Sequence, residues 1–290
     1  MRLHPIVDPR PRPLVRRLRH LVMGTPALSE APWRSTFLSH VRQQDSPVFV
    51  LSSLHTADPS SSSPSAARRV TPRARTVVFR GMWAGLPVNP KNPAELNPDV
   101  YQTHLPTLTT DARMDKTPEL MALSASAGQS GGGGPVEAVF WVAAVQTQWR
   151  LRGRAYVIGP DINSERAASV RDALTPYMRG TGAVGPWSWS RELTAHFGNL
   201  SPLMRGSFKN PPPGTPLGRK PGQEQGPSLG QKVDDLEDSV ARSNFRVVVI
   251  VPDEVERLDL SDPENGRRWN YKAKDGTDGA GAWEVTELWP

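Results

Sequence analysis

Cationic and amide side chains bracket the most strand-like stretches of this 290-residue chain. Arg75 and Arg80 enclose the run Thr76-Val-Val-Phe79, Arg113 and Lys116 follow the run at 105–110, and Gln148 and Arg150 open a third run at 148–157. If these runs are neighbouring strands, their polar ends converge on one site lined by Arg, Lys, Thr and an amide. Such a lining suits a phosphorylated planar ligand, with charge-assisted hydrogen bonds to the phosphate and an amide at the polar ring edge. The alternative is a set of solvated charges along sheet edges. Gly128-Gln-Ser-Gly-Gly132 has the spacing of a nucleophile elbow, but that device needs a strand before it and a helix after it, and the sequence offers neither. Six scattered histidines (His4, His20, His40, His55, His104, His196) lack ligand spacing, so no metal is expected. The absence of cysteine excludes thiolate metal sites, disulfides and a cysteine nucleophile.

Charge and composition bound the remaining choices. The net charge of +6 could suggest nucleic acid, yet residues 1–22 hold six arginines against the single acid Asp8, and the rest of the chain is close to neutral. Neither a nucleic-acid partner nor a membrane partner is expected, since no apolar run approaches the length of a span. Four prolines among the first thirteen residues oppose the amphipathic helix of a mitochondrial presequence. Residues 1–30 therefore read as a disordered basic extension, with targeting or binding of an anionic partner as alternatives, and the protein as cytoplasmic, or mitochondrial if the arm is a presequence.

The elements that must position these residues follow from periodicity. Trp33, Phe37 and Val41 recur at helical spacing, and the spacing predicts further helices at 117–123, 167–178, 187–197 and 233–242. Strands are predicted at 48–51, 75–80, 105–110, 136–145, 148–157, 245–251, 255–260, 268–271 and 283–288. In the run at 148–157, Trp149, Leu151, Ala155 and Val157 fall on one face and Gln148, Arg150, Arg152 and Arg154 on the other. Flexible insertions are expected near 56–70, 124–135 and 206–230, where Ser, Gly and Pro concentrate. The class is α+β, built on an antiparallel sheet or barrel with peripheral helices.

Several segments in order resemble a known family. Ala74-Arg-Thr-Val-Val-Phe-Arg80, Leu108-Thr-Thr-Asp-Ala-Arg-Met-Asp-Lys116 with Glu119-Leu120, Phe140-Trp141 followed by Thr147-Gln-Trp-Arg-Leu-Arg-Gly153, and Trp283 to Leu288-Trp-Pro290 resemble the pyridoxamine 5′-phosphate oxidase-like, FMN-binding split β-barrels. The branch it is most similar to is fungal and cyanobacterial, with an Ala-Pro-Trp helix as at Ala31 and a Pro-Pro-Gly segment as at Pro212. The resemblance covers roughly residues 31–290 and implies an antiparallel split barrel, an FMN cofactor and a homodimer with FMN at the interface. It further implies that Arg75, Thr76, Val77, Val78, Thr110, Lys116 and Gln148 hold FMN, with Arg75, Lys116 and Arg113 at the phosphate. Arg80 stands where the oxidase has a substrate-holding lysine, and Arg268 where an arginine contacts the flavin.

The departures bear on activity. Asp115 occupies the place of a phosphate-binding arginine, Leu258 that of a tryptophan beside the flavin, and Asn265-Gly-Arg-Arg-Trp269 lacks the Arg-x-His segment that the oxidase uses on its substrate. The expected function is an FMN-dependent oxidoreductase of unassigned substrate. The alternative is a non-catalytic module that binds or senses FMN, which turnover of the bound flavin distinguishes.

Overall fold

In the computed structural model, residues 30–56, 70–124, 128–216, 229–274 and 282–290 are described. The Arg-rich leader and the Ser-rich loop after Thr56 lie outside the described residues, as does the stretch 217–228. Helix α1 (Arg34–Val41) comes first, followed by β1 (Val48–Thr56), β2 (Val70–Val78), β3 (Tyr101–Gln102), β4 (Thr107–Asp111) and α2 (Lys116–Met121). The long hairpin β5 (Gly131–Val142) and β6 (Thr147–Ile158) is next, then α3 (Ala168–Leu174), β7 (Arg179–Gly180), α4 (Trp189–Gly198), α5 (Pro202–Gly206) and α6 (Ser239–Asn244). The chain closes with β8 (Phe245–Asp259), β9 (Arg267–Ala273) and β10 (Trp283–Leu288).

One antiparallel sheet runs β10-β9-β8-β6-β5-β1-β2, and β4 also pairs with β8. Strand β8 is the pivot. One edge lies along β6 throughout, while the other meets β4 through Phe245 to Val249 and β9 through Glu254 to Asp259. The sheet therefore splits beside Pro252. Gly153 lies opposite Pro252 at a bulge in β8, where Asp253 is the extra residue; a Cβ at 153 would overlap the Val251 carbonyl oxygen, so only glycine lets the strands approach there. Strands β2 and β4 share no ladder. The segment after β2 reaches β4 through Arg80 N–H to Thr107 O (2.8 Å), Thr107 N–H to Gly81 O (2.9 Å) and Trp83 N–H to Leu105 O (2.8 Å). Before Arg80 the two strands diverge, and the barrel is open along that seam.

Both faces of β8 are buried from Phe245 to Pro252, which explains its near-continuous apolar run there. Val248 and Ile250 point into the barrel with Trp33, Phe37, Phe49, Phe140 and Trp149, whereas Phe245, Val247, Val249 and Val251 pack outward on Trp83, Leu193, Phe197 and Phe208. The α+β split barrel is thus the expected class, and the alternation of β6 is as predicted, with Trp149, Leu151, Ala155 and Val157 all buried.

Four local expectations need correction. The glycines at 131–134 form the start of β5 rather than a loop, since only glycine accommodates φ of 133° at Gly132 and 92° at Gly133 beside the β6 backbone. The strands predicted at 245–251 and 255–260 are one strand, because the bulge carries β8 past Pro252. The acidic helix predicted at 233–242 shrinks to α6: Asp238 is its cap, accepting from Ala241 N–H at 2.9 Å, and the acids before it stay outside. Within the predicted insertion at 206–230, residues 206–209 pack closely, with Gly206 and Phe208 buried. Ser130 is buried and donates to Asp161 Oδ1 (2.6 Å) while accepting from Gly159 N–H (2.9 Å), a structural use of its hydroxyl.

His104 is boxed by the rings of Trp33, Tyr177 and Trp283 at 5.7–6.0 Å. Burial, and then Arg34, lowers its pKa to about 4. In the unfolded chain the imidazole titrates near 6.5, so between these values the unfolded state binds more protons and stability falls as pH falls. From pH 7.5 to pH 5 this group should withdraw about 2 kcal/mol. Thermal unfolding of His104→Phe should be less acid-sensitive by that amount; an identical pH profile in both proteins would contradict the assignment.

Candidate functional site

The seam where β2 and β4 diverge is a cavity of about 490 Å³. Thr76 to Val78 and Arg80 form one wall, Thr109 to Asp111 and the start of α2 with Met114 and Lys116 form another, and Met204, Phe208, Asn210 and Pro211 cover it. Period-two alternation decides which β2 side chains face outward. Thr76 pairs with exposed Val50 and Val78 with exposed Val48, whereas Arg75 pairs with buried Leu51 and Val77 with buried Phe49.

Lys116 is buried. Its Nζ donates to Thr110 Oγ1 at 3.1 Å and lies 2.8 Å from Met114 Sδ. Burial, and then the Arg75 guanidinium, pulls its ammonium below the usual lysine range. Arg80 is largely buried as well, its Nε has no hydrogen-bond partner, and burial lowers its pKa. Among the described residues neither cation has an ion-pair partner. Asp111, Glu119 and Asp115 offset the Lys116 charge only from beyond ion-pair distance, so the cavity presents two desolvated cations to which an anion could add a direct partner.

The other predicted arginines are engaged. Arg75 donates to Glu119 Oε2 (2.7 Å) and to Ser53 Oγ (2.5 Å), on the barrel side of β2. Arg113 grips Asp111 through Nε (2.9 Å) and Nη2 (2.7 Å) and donates to the Phe208 and Asn210 carbonyls, so it fastens the cover rather than lining the cavity. Gln148 and Arg268 lie apart from the cavity on the outer sheet face, in one cross-strand row with Trp141 and Leu258, and Arg268 donates to Glu256 Oε1 at 2.7 Å. A single chain thus gathers Thr76, Val77, Val78, Arg80, Thr110 and Lys116, and leaves Arg75, Arg113, Gln148 and Arg268 elsewhere.

The covering residues escaped the sequence reading. Ser201-Pro202 was the available signal: Ser201 caps α5 by accepting from Met204 N–H at 3.3 Å, with Pro202 in the first turn. That helix delivers Phe208 to the core and Asn210 to the cavity.

Comparison with known proteins places this geometry. Residues 30–159 match the family described as pyridoxamine 5′-phosphate oxidase, FMN-binding domain. Over that span the chain is similar to the FMN-binding domain of the pyridoxamine 5′-phosphate oxidase family. All the cavity residues contributed by β2, β4 and α2 fall inside the matched FMN-binding domain, while its cover lies beyond it. The crystal structure of a pyridoxamine 5′-phosphate oxidase-related, FMN-binding protein from Nostoc punctiforme has the same fold, with a TM-score of 0.53 and 21% identity over 91% of this chain and 100% of that one. An uncharacterized protein of Saccharomyces cerevisiae is 30% identical over 105 residues, which is 36% of this chain and 35% of that relative. Among the described residues there is no helix long and apolar enough to cross a membrane and no group of three acids or histidines that could hold a metal.

Because Arg75 neutralises a Glu119 side chain that is only 4% exposed, its removal should act on stability. Breaking such a pair typically costs about 3 kcal/mol, or roughly 6–12 °C in thermal midpoint for a domain of this size. Arg75→Ala should show that drop, and Arg75→Ala/Glu119→Gln should recover most of it. An unchanged midpoint in the single variant would contradict the structural role.

Proposed function

We propose that the protein binds FMN with the 5′-phosphate seated in the cavity between β2 and β4, and that it uses the flavin as a redox cofactor. The observation that supports this most directly is the pair of desolvated cations, Lys116 and Arg80, on one cavity. A phosphate dianion would balance both charges, and Thr76 and Thr110 add hydroxyl donors beside it. Asn210, whose Oδ1 has no partner among the described residues, suits the hydroxyls of a ribityl chain. The residues present fit the group. Bound FMN supplies hydride acceptance and electron transfer, which no side chain of the protein can provide. Steady-state reduction and reoxidation of the bound flavin by a hydride donor tests the redox role; flavin that binds but never turns over would leave a binding or sensing module.

The same reading makes the protein a homodimer. The outer face that carries Thr76 continues in register through Val50, Val139, Arg150 and Glu256. Val48 and Val50 are exposed on this face on β1, and Trp141 is exposed at the end of the row that holds Gln148 and Arg268. Gln148 is three strand spacings from β2, roughly 14 Å, so it does not close over the cavity of its own chain. A second copy laid on this face would cover the apolar patch and bring its own Gln148 and Arg268 towards the flavin ring. Light scattering at micromolar concentration should report twice the chain mass, and Trp141→Arg should shift it towards the monomer. A monomer with FMN bound would contradict this arrangement.

A further inference from the structure

A second cavity, of about 330 Å³, lies on the other side of Arg80, between α1 and residues 79–87. Its charge is one-sided. Arg34, Arg42 and Arg80 line it, and no aspartate or glutamate does. Its floor is apolar, built from Leu38, Phe79 and Met82. Arg34 is held in place by its Nε, which donates to the Thr103 carbonyl at 2.6 Å, and its only carboxylate partner among the described residues is Glu30 on the surface, at 2.9 Å. Arg42 has no side-chain partner among the described residues, and the Nε of Arg80 is buried without one. Gln44 also lines the cavity with a buried, unpartnered Oε1.

We infer that this cavity is a binding site for a small organic carboxylate with an apolar body, held at its charged end by Arg34, Arg42 and Arg80 and packed by its body on Phe79 and Met82. The volume is at the lower end of the range for small-molecule sites, enough for one aromatic ring and its substituents. Guanidinium forks match a carboxylate in geometry as well as charge. The apolar floor favours a carboxylate on a ring or branched chain over a hydrated inorganic anion, which would leave that floor uncovered. The Arg-rich leader of the chain carries the wrong charge to fill it.

Benzoate is a suitable probe, followed by isothermal titration calorimetry on the full chain with and without added FMN. A ligand of its size should bind with a dissociation constant on the order of 1 mM or tighter. Benzamide, the uncharged counterpart, should bind at least about tenfold more weakly. Arg42→Gln should weaken benzoate at least about threefold and Arg34→Gln/Arg42→Gln at least about tenfold, because each removes a charge-assisted partner. Arg42 lines only this cavity, so Arg42→Gln should retain the FMN affinity of the unaltered protein. No benzoate binding up to about 20 mM, equal binding by the variants, or inorganic phosphate competing as well as benzoate would each overturn the proposal. The titration without FMN keeps this outcome separate from the cofactor reading, since benzoate binding is decided there even if FMN binds to nothing.

Discussion

Lys116→Met/Arg80→Met should retain its fold and lose nearly all discrimination between FMN and riboflavin. Both side chains line the cavity, and among the described residues neither makes an ion pair; the nearby Glu119 and Asp111 keep their direct partners Arg75 and Arg113 when they are removed. Each substitution alone should weaken FMN by about 2–3 kcal/mol, near a hundredfold, the usual worth of a charge-assisted partner in a partly desolvated site. If both contact one phosphate, as proposed, their effects are coupled, and the double variant should lose on the order of a thousandfold or more rather than the strict product. Riboflavin, which has no phosphate, should be affected less than about tenfold. Relief of two desolvated cations should leave the thermal midpoint equal or higher. A double variant that still prefers FMN would show that the phosphate sits elsewhere, with Arg75 and Arg113 the next candidates.

The second large effect concerns pyridoxine or pyridoxamine 5′-phosphate as substrate. Oxygen-dependent formation of pyridoxal 5′-phosphate should run at a kcat/KM lower by a factor on the order of a thousand or more than that of an authentic oxidase assayed alongside. The segment that would supply a substrate-holding pair has its arginines committed. Arg267 donates to Glu287 at 2.9 Å and stacks on Trp269 with 4.5 Å to the ring centre, and Arg268 is tied to Glu256. No histidine follows them. Missing groups of this kind cost several kcal/mol of transition-state binding. A kcat/KM within about tenfold of the authentic enzyme would mean that another residue holds the substrate phosphate.

The legible part of this molecule was its strand alternation. The pattern Trp149, Leu151, Ala155, Val157 against Gln148, Arg150, Arg152, Arg154 is local and period-two, so burial of one face follows from the residues themselves. The candidate site was legible only in part, because the reading located cations near strand ends without asking which face each occupies. Alternation along β2 sends Arg75 to the barrel side, whereas Arg80, two residues beyond the strand's end, lines the cavity. Glu119 and Asp111 then remove Arg75 and Arg113 from the pool of free cations, through contacts that depend on how α2 packs against β1 and on how the chain turns after β4. The cover was hidden for another reason: Gly and Pro from 206 onward mimic a linker, yet Phe208 within them is a core residue. The bulge at Gly153 likewise merges two predicted strands into one, a tertiary event with a single glycine as its only local trace.

The phosphate cradle is tested most directly by titrating the flavin-free protein with FMN and with riboflavin under identical conditions, following quenching of flavin fluorescence. Lys116 and Arg80 facing one cavity predict FMN binding tighter than riboflavin by about a hundredfold or more, a preference that shrinks as salt is raised. Equal affinity for the two ligands would contradict the account, whatever the colour of the purified protein.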